Sequence, residues 1–326
     1  MLQRPFAQVA EVRCRGYSLP LQRAITDFGA DNAFGRVGAK LKEHYGIVVP
    51  LGAAATLTER HAHALSDADT TPTASVIKPL TLIVEVDGSM IPVVEIGPCT
   101  PEVPDKRKHR TLLWKEARLS LVRRPDEVEP SFDVTLGDVA TTGTALKRLA
   151  IAAGLTTRTS VHGVGDGAPW IAEQVEVQFG AQGSYLIDFC HVCDYLAAAA
   201  PICAPDQHGE WMRCQKERLK TGQLEAVKAA LARHAEADTV ANDQAPVRAC
   251  YRYFVNRPGQ FKYREAIAAN LPIGSGEVES AHRYVIQERL KLAGAWWRPS
   301  NAQAMLNLRV LRANHGWHRY WDAASA

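Results

Sequence analysis

The chain has 326 residues, 46% of them hydrophobic and 22% charged, enough apolar surface for one large domain with one or two small ones. Its net charge of +3 (38 Lys and Arg, 35 Asp and Glu) is too small by itself to specify a nucleic-acid partner. No apolar run approaches the roughly 20 residues of a membrane span. The opening "MLQRPFAQVAEVRCRGYS" lacks a signal-peptide core, and seven scattered cysteines are not a disulfide framework, so a cytoplasmic protein is expected.

Residues 1–75 read as a helical region. "LQRAITDFGADNAFGRVGAKLKEHYG" predicts a helix closed by Gly46, "IVVPLG" a turn with Pro50 and Gly52, and "AAATLTERHAHAL" a second helix. This is a helix-turn-helix-like pattern suited to DNA, although any antiparallel helix pair has it too. "DADTTPTAS" (67–75) has a linker's composition.

Over residues 76–200 the period changes. "LTLIVEVDGSMIPVVEIG" predicts two strands around an Asp87-Gly88 turn, and "TLLWKEARLSLVRR" a third. "LGDVATTGTALKRLAIAAGL" predicts an amphipathic helix. "TSVHGVGDGAPWIAEQV" predicts a short strand followed by Asp166 between glycines, and "GSYLIDFCHVCDYLAAAA" a strand running into a helix. The class is therefore α/β, a mixed sheet with helices on its faces. Residues 201–270 turn helical and polar and read as an insertion, and residues 271–326 return to helix with a basic tail.

Two segments are rich in cations. Residues 281–320 hold seven Lys or Arg against one acid, with five Trp and Tyr interleaved, and residues 101–124 hold eight against three. Clustered cations neutralise phosphates and aromatics stack on bases, so Arg298, Arg309 and Arg312 are candidate DNA contacts. A solvated helix face backed by core aromatics has the same composition.

The chemistry-bearing candidates are acids. A carboxylate at the end of each of two strands, Asp87 and Asp166, with a third on a late helix, can converge at one edge of a mixed sheet. Such a cluster favours hard divalent cations, and two Mg²⁺ ions can activate a nucleophile and stabilise the leaving oxygen of a phosphodiester. In "DFCHVCDYL", Cys190 and Cys193 have the spacing of a redox pair or half a zinc site. The chain is far longer than a redox fold needs and has no second close cysteine pair, so buried helix-facing cysteines are the preferred reading.

"VEVDGSM", "VGDGAPWI", "YLIDFCHVCDYL" and "LPIGSGEVESAHRYVIQERLKLAGAWW", in that order, resemble bacterial insertion-sequence transposases of the DDE, RNase H-like superfamily, nearest to the ISKra-type group. "DFGADNAFGRVGAKLKEHYGI" and "NAQAMLNLRVLRANHGWHRYW" resemble the same group, so the likeness spans nearly the whole chain. It implies an RNase H-like sheet and places metal on Asp87, Asp166 and Glu279, with Asp188 and His191 as an Asp-x-x-His signature. It also implies Mg²⁺ with Mn²⁺ as substitute, and several copies assembling on element ends and target DNA. Water attacks first, and the freed 3′-hydroxyl then attacks the target. A metal-dependent nuclease of the same fold, or an inactive DNA-binding relic, are the alternatives. The chain begins near the middle of the family's N-terminal region, so a truncated copy is expected.

Glu277 and Glu279 lie two apart in "IGSGEVESAHR", so on a helix they point to different sides. With Ser275 as cap, Glu277 falls in the first turn, where the helix dipole alone explains it. Glu279 shares its helical face with Arg283, Ile286 and Leu290, which predicts that it faces the sheet, with Arg283 as a compensating cation.

Overall fold

The computed structural model describes residues 12–13, 16–98, 105 and 109–325. Its centre is a five-stranded mixed sheet. The strands are β1 (Thr81–Ile96), β2 (Arg110–Arg123), β3 (Ser131–Thr135), β4 (Ser160–Gly165) and β5 (Gly183–Ile187), and they lie side by side in the order β3-β2-β1-β4-β5. The first three form an antiparallel meander, whereas β4 pairs parallel to β1 and β5 parallel to β4. Parallel neighbours need crossovers, and helices α4 (Val139–Ala152), α5 (Pro169–Phe179) and α6 (Phe189–Cys203) follow β3, β4 and β5.

β1 corrects one expectation. Asp87-Gly88 is no turn, because the strand runs on through it, with Asp87 opposite Leu119 and Gly88 opposite Arg118. Gly88 lacks the positive φ of a type I′ turn. The predicted hairpin is therefore one 16-residue strand, and Asp87 sits within it rather than at its end. Pro92 costs the ladder nothing. The Val94 N–H points away from β2, to the Trp297 carbonyl at 2.7 Å, and Pro92 two residues earlier shares that polarity. The short β3, "SFDVT", carried too few residues to show a period and is an addition to the predicted elements.

Each face of the sheet buries its own core, as strand alternation requires. Leu82, Val84 and Val86 meet Leu146, Leu149, Ile171 and Val175 of α4 and α5. The opposite face, with Ile91, Val93, Leu119 and Leu121, meets Val278 and Ala281 and the helices nearest the C-terminus. Residues 208–268 contribute α7 (His208–Lys220), α8 (Leu224–Ala232), α9 (Pro246–Val255) and α10 (Tyr263–Ala268). They share one core with β5 and α6 through Ile187, Val192, Leu196, Val247, Phe254 and Phe261. The chain then forms α11 (Gly276–Ala281), a π-helical stretch His282–Gln287, α12 (Pro299–Ala313) and α13 (Trp317–Ser325). Among the described residues no helix is long and apolar enough to cross a membrane.

The N-terminal region has three helices where two were expected: α1 (Leu19–Asp31), α2 (Phe34–Tyr45) and α3 (Leu51–Ala64). Asn32 breaks the first stretch, since its backbone turns extended while its main-chain and side-chain N–H groups both return to the Phe28 carbonyl. Gly46 closes α2 as expected, whereas Gly52 lies inside α3, and Asp67–Thr70 of the expected linker is a short capped helix. Arginines from the far end of the chain cap α1. Arg289 Nε donates to the Gly29 carbonyl, Arg309 Nη1 to the Ala30 carbonyl and Asp31, and Arg312 pairs with Asp27 and Asp31.

His61 of α3 bridges the same regions, 2.9 Å from the Tyr320 hydroxyl and 3.0 Å from Gln22 Oε1, with its ring against Trp321. Burial and the nearby Arg60 lower its pKa to about 4 from the ordinary 6.5. A neutral imidazole is thus favoured in the fold. The stability it confers is complete above pH 6.5 and is lost as pH falls toward 4, below which both states are protonated. Urea unfolding of wild type and His61→Gln should therefore diverge by about 3 kcal/mol across that window, wild type alone showing the decline.

Candidate active site

The parallel register of β1 and β4 pairs Glu85 with Val164. Two residues further along each strand direction come Asp87 and Asp166. Asp166 follows the end of β4, where its Oδ1 accepts from the Ala168 N–H at 2.8 Å. The Asp188 N–H donates to the Gly165 carbonyl at 2.7 Å, so Asp188 also stands beside the same strand end.

Asp188 is buried and caps α6. Its Oδ1 accepts from the N–H groups of Cys190 and His191, and its Oδ2 from the N–H and hydroxyl of Ser275 at 2.5 and 2.7 Å. This corrects the expected Ser275 cap, because that hydroxyl is given to Asp188 and makes no cap bond to α11. Ser275 immediately precedes α11, so Asp188 sets where the helix bearing Glu279 begins.

His282 Nε2 lies 3.2 Å from Asp87 Oδ2. Burial raises the Asp87 carboxyl, but the His282 contact and the Gly88 N–H outweigh it and hold the group below the usual carboxylate range. Glu279 moves the other way. Partial burial and the charges of Asp188 and Asp87 push its carboxyl up, with His191 and His282 opposing. Glu279 therefore feels Asp188, Asp87, His191 and His282, and Asp87 feels both histidines, whereas Asp166 is not among the groups acting on either acid.

Glu279 is nonetheless exposed, against the expectation that it faces the sheet. Val278 takes the buried position, and the π-helical stretch that follows places an extra residue in the turn. Glu279 therefore loses the phase it would share with the buried Ile286 and Leu290 on a regular α-helix. Arg283 is exposed on the same stretch. Glu277 is held by Arg123, which donates to both carboxylate oxygens at 2.6 Å, so an ion pair rather than the dipole alone explains it.

Sequence reasoning passed over several residues. Glu85 is buried, and its Oε2 accepts the Val278 N–H at 2.9 Å, tying α11 to β1. Burial pushes its carboxyl up to about 8. The period of two in "VEVDG" could have found it, since it shares a face with Asp87. His282 was visible three residues after Glu279, a helical neighbour.

Among the described residues no three His, Cys, Asp or Glu side chains are arranged to hold a metal ion. The donor chemistry of Asp87, Asp166 and Glu279 fits a hard cation. All three offer oxygen, Asp166 Oδ2 has no hydrogen bond among the described residues, and Glu279 stands in a repulsive field that a cation relieves. Cys190 and Cys193 do not fit a redox pair. Partial burial and the carboxylates of Asp188 and Glu279 push the Cys190 thiol up, and burial does the same to Cys193. Cys190 is also exposed rather than buried as expected.

The basic tail divides. Arg309 is buried and donates to the carbonyls of Val285, Tyr284 and Ala30 and to Asp31, and Arg312 is paired with Asp27 and Asp31. Both therefore serve the fold, which corrects their assignment as phosphate contacts. Arg298 is exposed at the start of α12 and is the one of the three with no fold partner among the described residues. Of the interleaved aromatics Trp297 is buried and Trp296 exposed. Lys106, Arg107 and Lys108 of the other cluster, and most of the expected N-terminal truncation point, lie outside the described residues.

A mixed α/β chain with acids gathered beside its central strands is the class that the fold and site define. A family profile matches residues 155–322, and the chain belongs to the Uncharacterised protein family UPF0236. The matched region includes Asp166, Asp188, His191 and Glu279, while Asp87 precedes it. Comparison with curated proteins returns no match.

Asp188→Ala should lower stability by roughly 3 kcal/mol, measured by urea unfolding, because four donors lose one buried acceptor. Arg309→Ala should likewise cost about 3 kcal/mol and leave the salt dependence of DNA binding unchanged. A shallower salt slope with full stability would return Arg309 to the DNA surface.

Proposed function

We propose that this chain is an RNase H-like, DDE-type transposase of the ISKra kind, which cuts and rejoins DNA phosphodiesters at the ends of an insertion sequence. The observation that carries the reading is that Glu279 on α11 feels the charges of Asp87 within β1 and of Asp188 at the start of α6, while Asp166 follows β4, the parallel neighbour of β1. A mixed sheet covered by helices on both faces, with a helical insertion between the second and third acid, supports it further.

Asp87, Asp166 and Glu279 would hold two Mg²⁺ ions (Mn²⁺ substituting), whose chemistry is to activate the attacking oxygen and stabilise the leaving one. The remaining residues prepare those three. His282 favours the ionised form of Asp87. Asp188 and Glu85 fix the start of α11 and hence Glu279. Exposed Arg283 and Arg298 are among the cations that would meet DNA phosphates, and several copies would assemble on the element ends.

The test is cleavage and strand transfer with the element's own ends in Mg²⁺. Asp87→Asn, Asp166→Asn and Glu279→Gln should each reduce both steps to background while DNA affinity changes little. Glu277→Gln should keep most activity and lose about 0.5–1 kcal/mol of stability, the worth of a half-exposed ion pair. A dead Glu277→Gln beside an active Glu279→Gln overturns the site, and cleavage without strand transfer leaves a nuclease.

A further inference from the structure

The turn after β4 is held by side chains from outside it. Tyr253 of α9 donates its hydroxyl to the Asp166 carbonyl at 2.9 Å, and Arg257 Nε, just beyond α9, donates to the Gly167 carbonyl at 3.0 Å. The Gly167 N–H in turn donates to the Tyr185 hydroxyl at 3.1 Å. Gly167 has a φ of +88°, and a Cβ there would lie 2.2 Å from the Tyr253 hydroxyl. Turn and phenol are therefore fitted to one another.

The Tyr253 ring is fixed in its own right. It stacks on Tyr195 at 4.1 Å between centroids, and the Arg257 guanidinium lies 4.0 Å from its centroid. Tyr195 belongs to α6, the helix that Asp188 caps, and its ring meets His191 edge-on. The insertion thus grips the Asp166 turn from a platform shared with Asp188 and His191.

We propose that Tyr253 and Arg257 are positioning residues that fix the Asp166 carboxylate in the site, which makes the helical insertion part of the active-site mounting. Packing alone does not require the two bonds. A phenylalanine ring would fill the Tyr253 position, and the guanidinium could lie over the ring without donating to Gly167. What the bonds add is a fixed carbonyl on Asp166 and on its neighbour, while Oδ1 is already taken by the Ala168 N–H. Catalytic groups tolerate little displacement, since about 1 Å can cost a hundredfold in rate.

The proposal rests on the reading of Asp166 as a metal-holding carboxylate, and two readouts on the full chain separate them. The first is amide hydrogen exchange without metal. In Tyr253→Phe and Arg257→Met the Gly167 and Ala168 amides should exchange about five- to tenfold faster, with those of β1 unchanged. Tyr195→Phe, which keeps the stack and both bonds, should match wild type. The second is Mn²⁺ titration followed by the signal of free Mn²⁺. Both variants should bind Mn²⁺ at least about tenfold more weakly than wild type, as losing the groups that orient a ligating residue does elsewhere. Unchanged exchange and unchanged Mn²⁺ affinity in both variants overturn the proposal. Faster exchange in a chain whose wild type binds no Mn²⁺ sustains the positioning of Asp166 and removes the metal reading instead.

Discussion

The buried Asp188 carboxylate is the constraint on which the site depends. Both of its oxygens are filled, one by the first N–H groups of α6 and one by Ser275, which lies 87 positions later. A buried charge is tolerated only when its hydrogen bonds are met, so this carboxylate obliges two remote segments to stay together. The segment from α7 to α10 must therefore leave and return at a fixed place. Its own backbone strengthens that return, with Ile187 N–H bonded to the Gln260 carbonyl and Phe189 N–H to the Ile273 carbonyl.

The second organising force is the use of cations inside the molecule. Arg289 is buried between the rings of Phe34 and Trp297, with burial and the neighbouring Arg309 lowering its pKa to about 10. Such a site suits guanidinium, which is weakly hydrated and stacks on aromatic faces. A count of positive charge along residues 281–320 cannot tell these inward arginines from outward ones. Their partners include main-chain carbonyls 260 and 279 residues earlier, and composition carries no trace of that distance.

Much of the fold was legible where the period was long. The amphipathic helix after "LGD", the strand-to-helix passage at "YLIDFCH" and the helical character of residues 208–268 all stand where the pattern put them. Asp87-Gly88 misled because a dipeptide's turn preference is weak against a 14-residue partner strand that pairs straight past it. The two glutamates were expected on opposite sides of the helix, yet both are exposed, and their surroundings were not legible. A helical wheel assumes one regular twist, and the π-helical stretch breaks it just after Glu279. Arg123, which holds Glu277, comes from the end of β2 more than 150 residues away. The grip of Tyr253 and Arg257 on the Asp166 turn was equally silent, because nothing local to "NRPG" marks a tertiary donor.

The capping of α1 by late arginines has a consequence for the order of assembly. A chain made from its N-terminus presents the open carbonyls of Gly29 and Ala30 long before Arg289 and Arg309 leave the ribosome. Until then α1 ends in acceptors that only water can satisfy, and Ala30 and Ala62 have no partners from the last helices to cover them. Docking of the N-terminal helices is therefore a closing event of biogenesis. A ribosome that stalls before α12 leaves a nascent chain with its helical head undocked, a form that chaperones and proteases can distinguish from the finished protein.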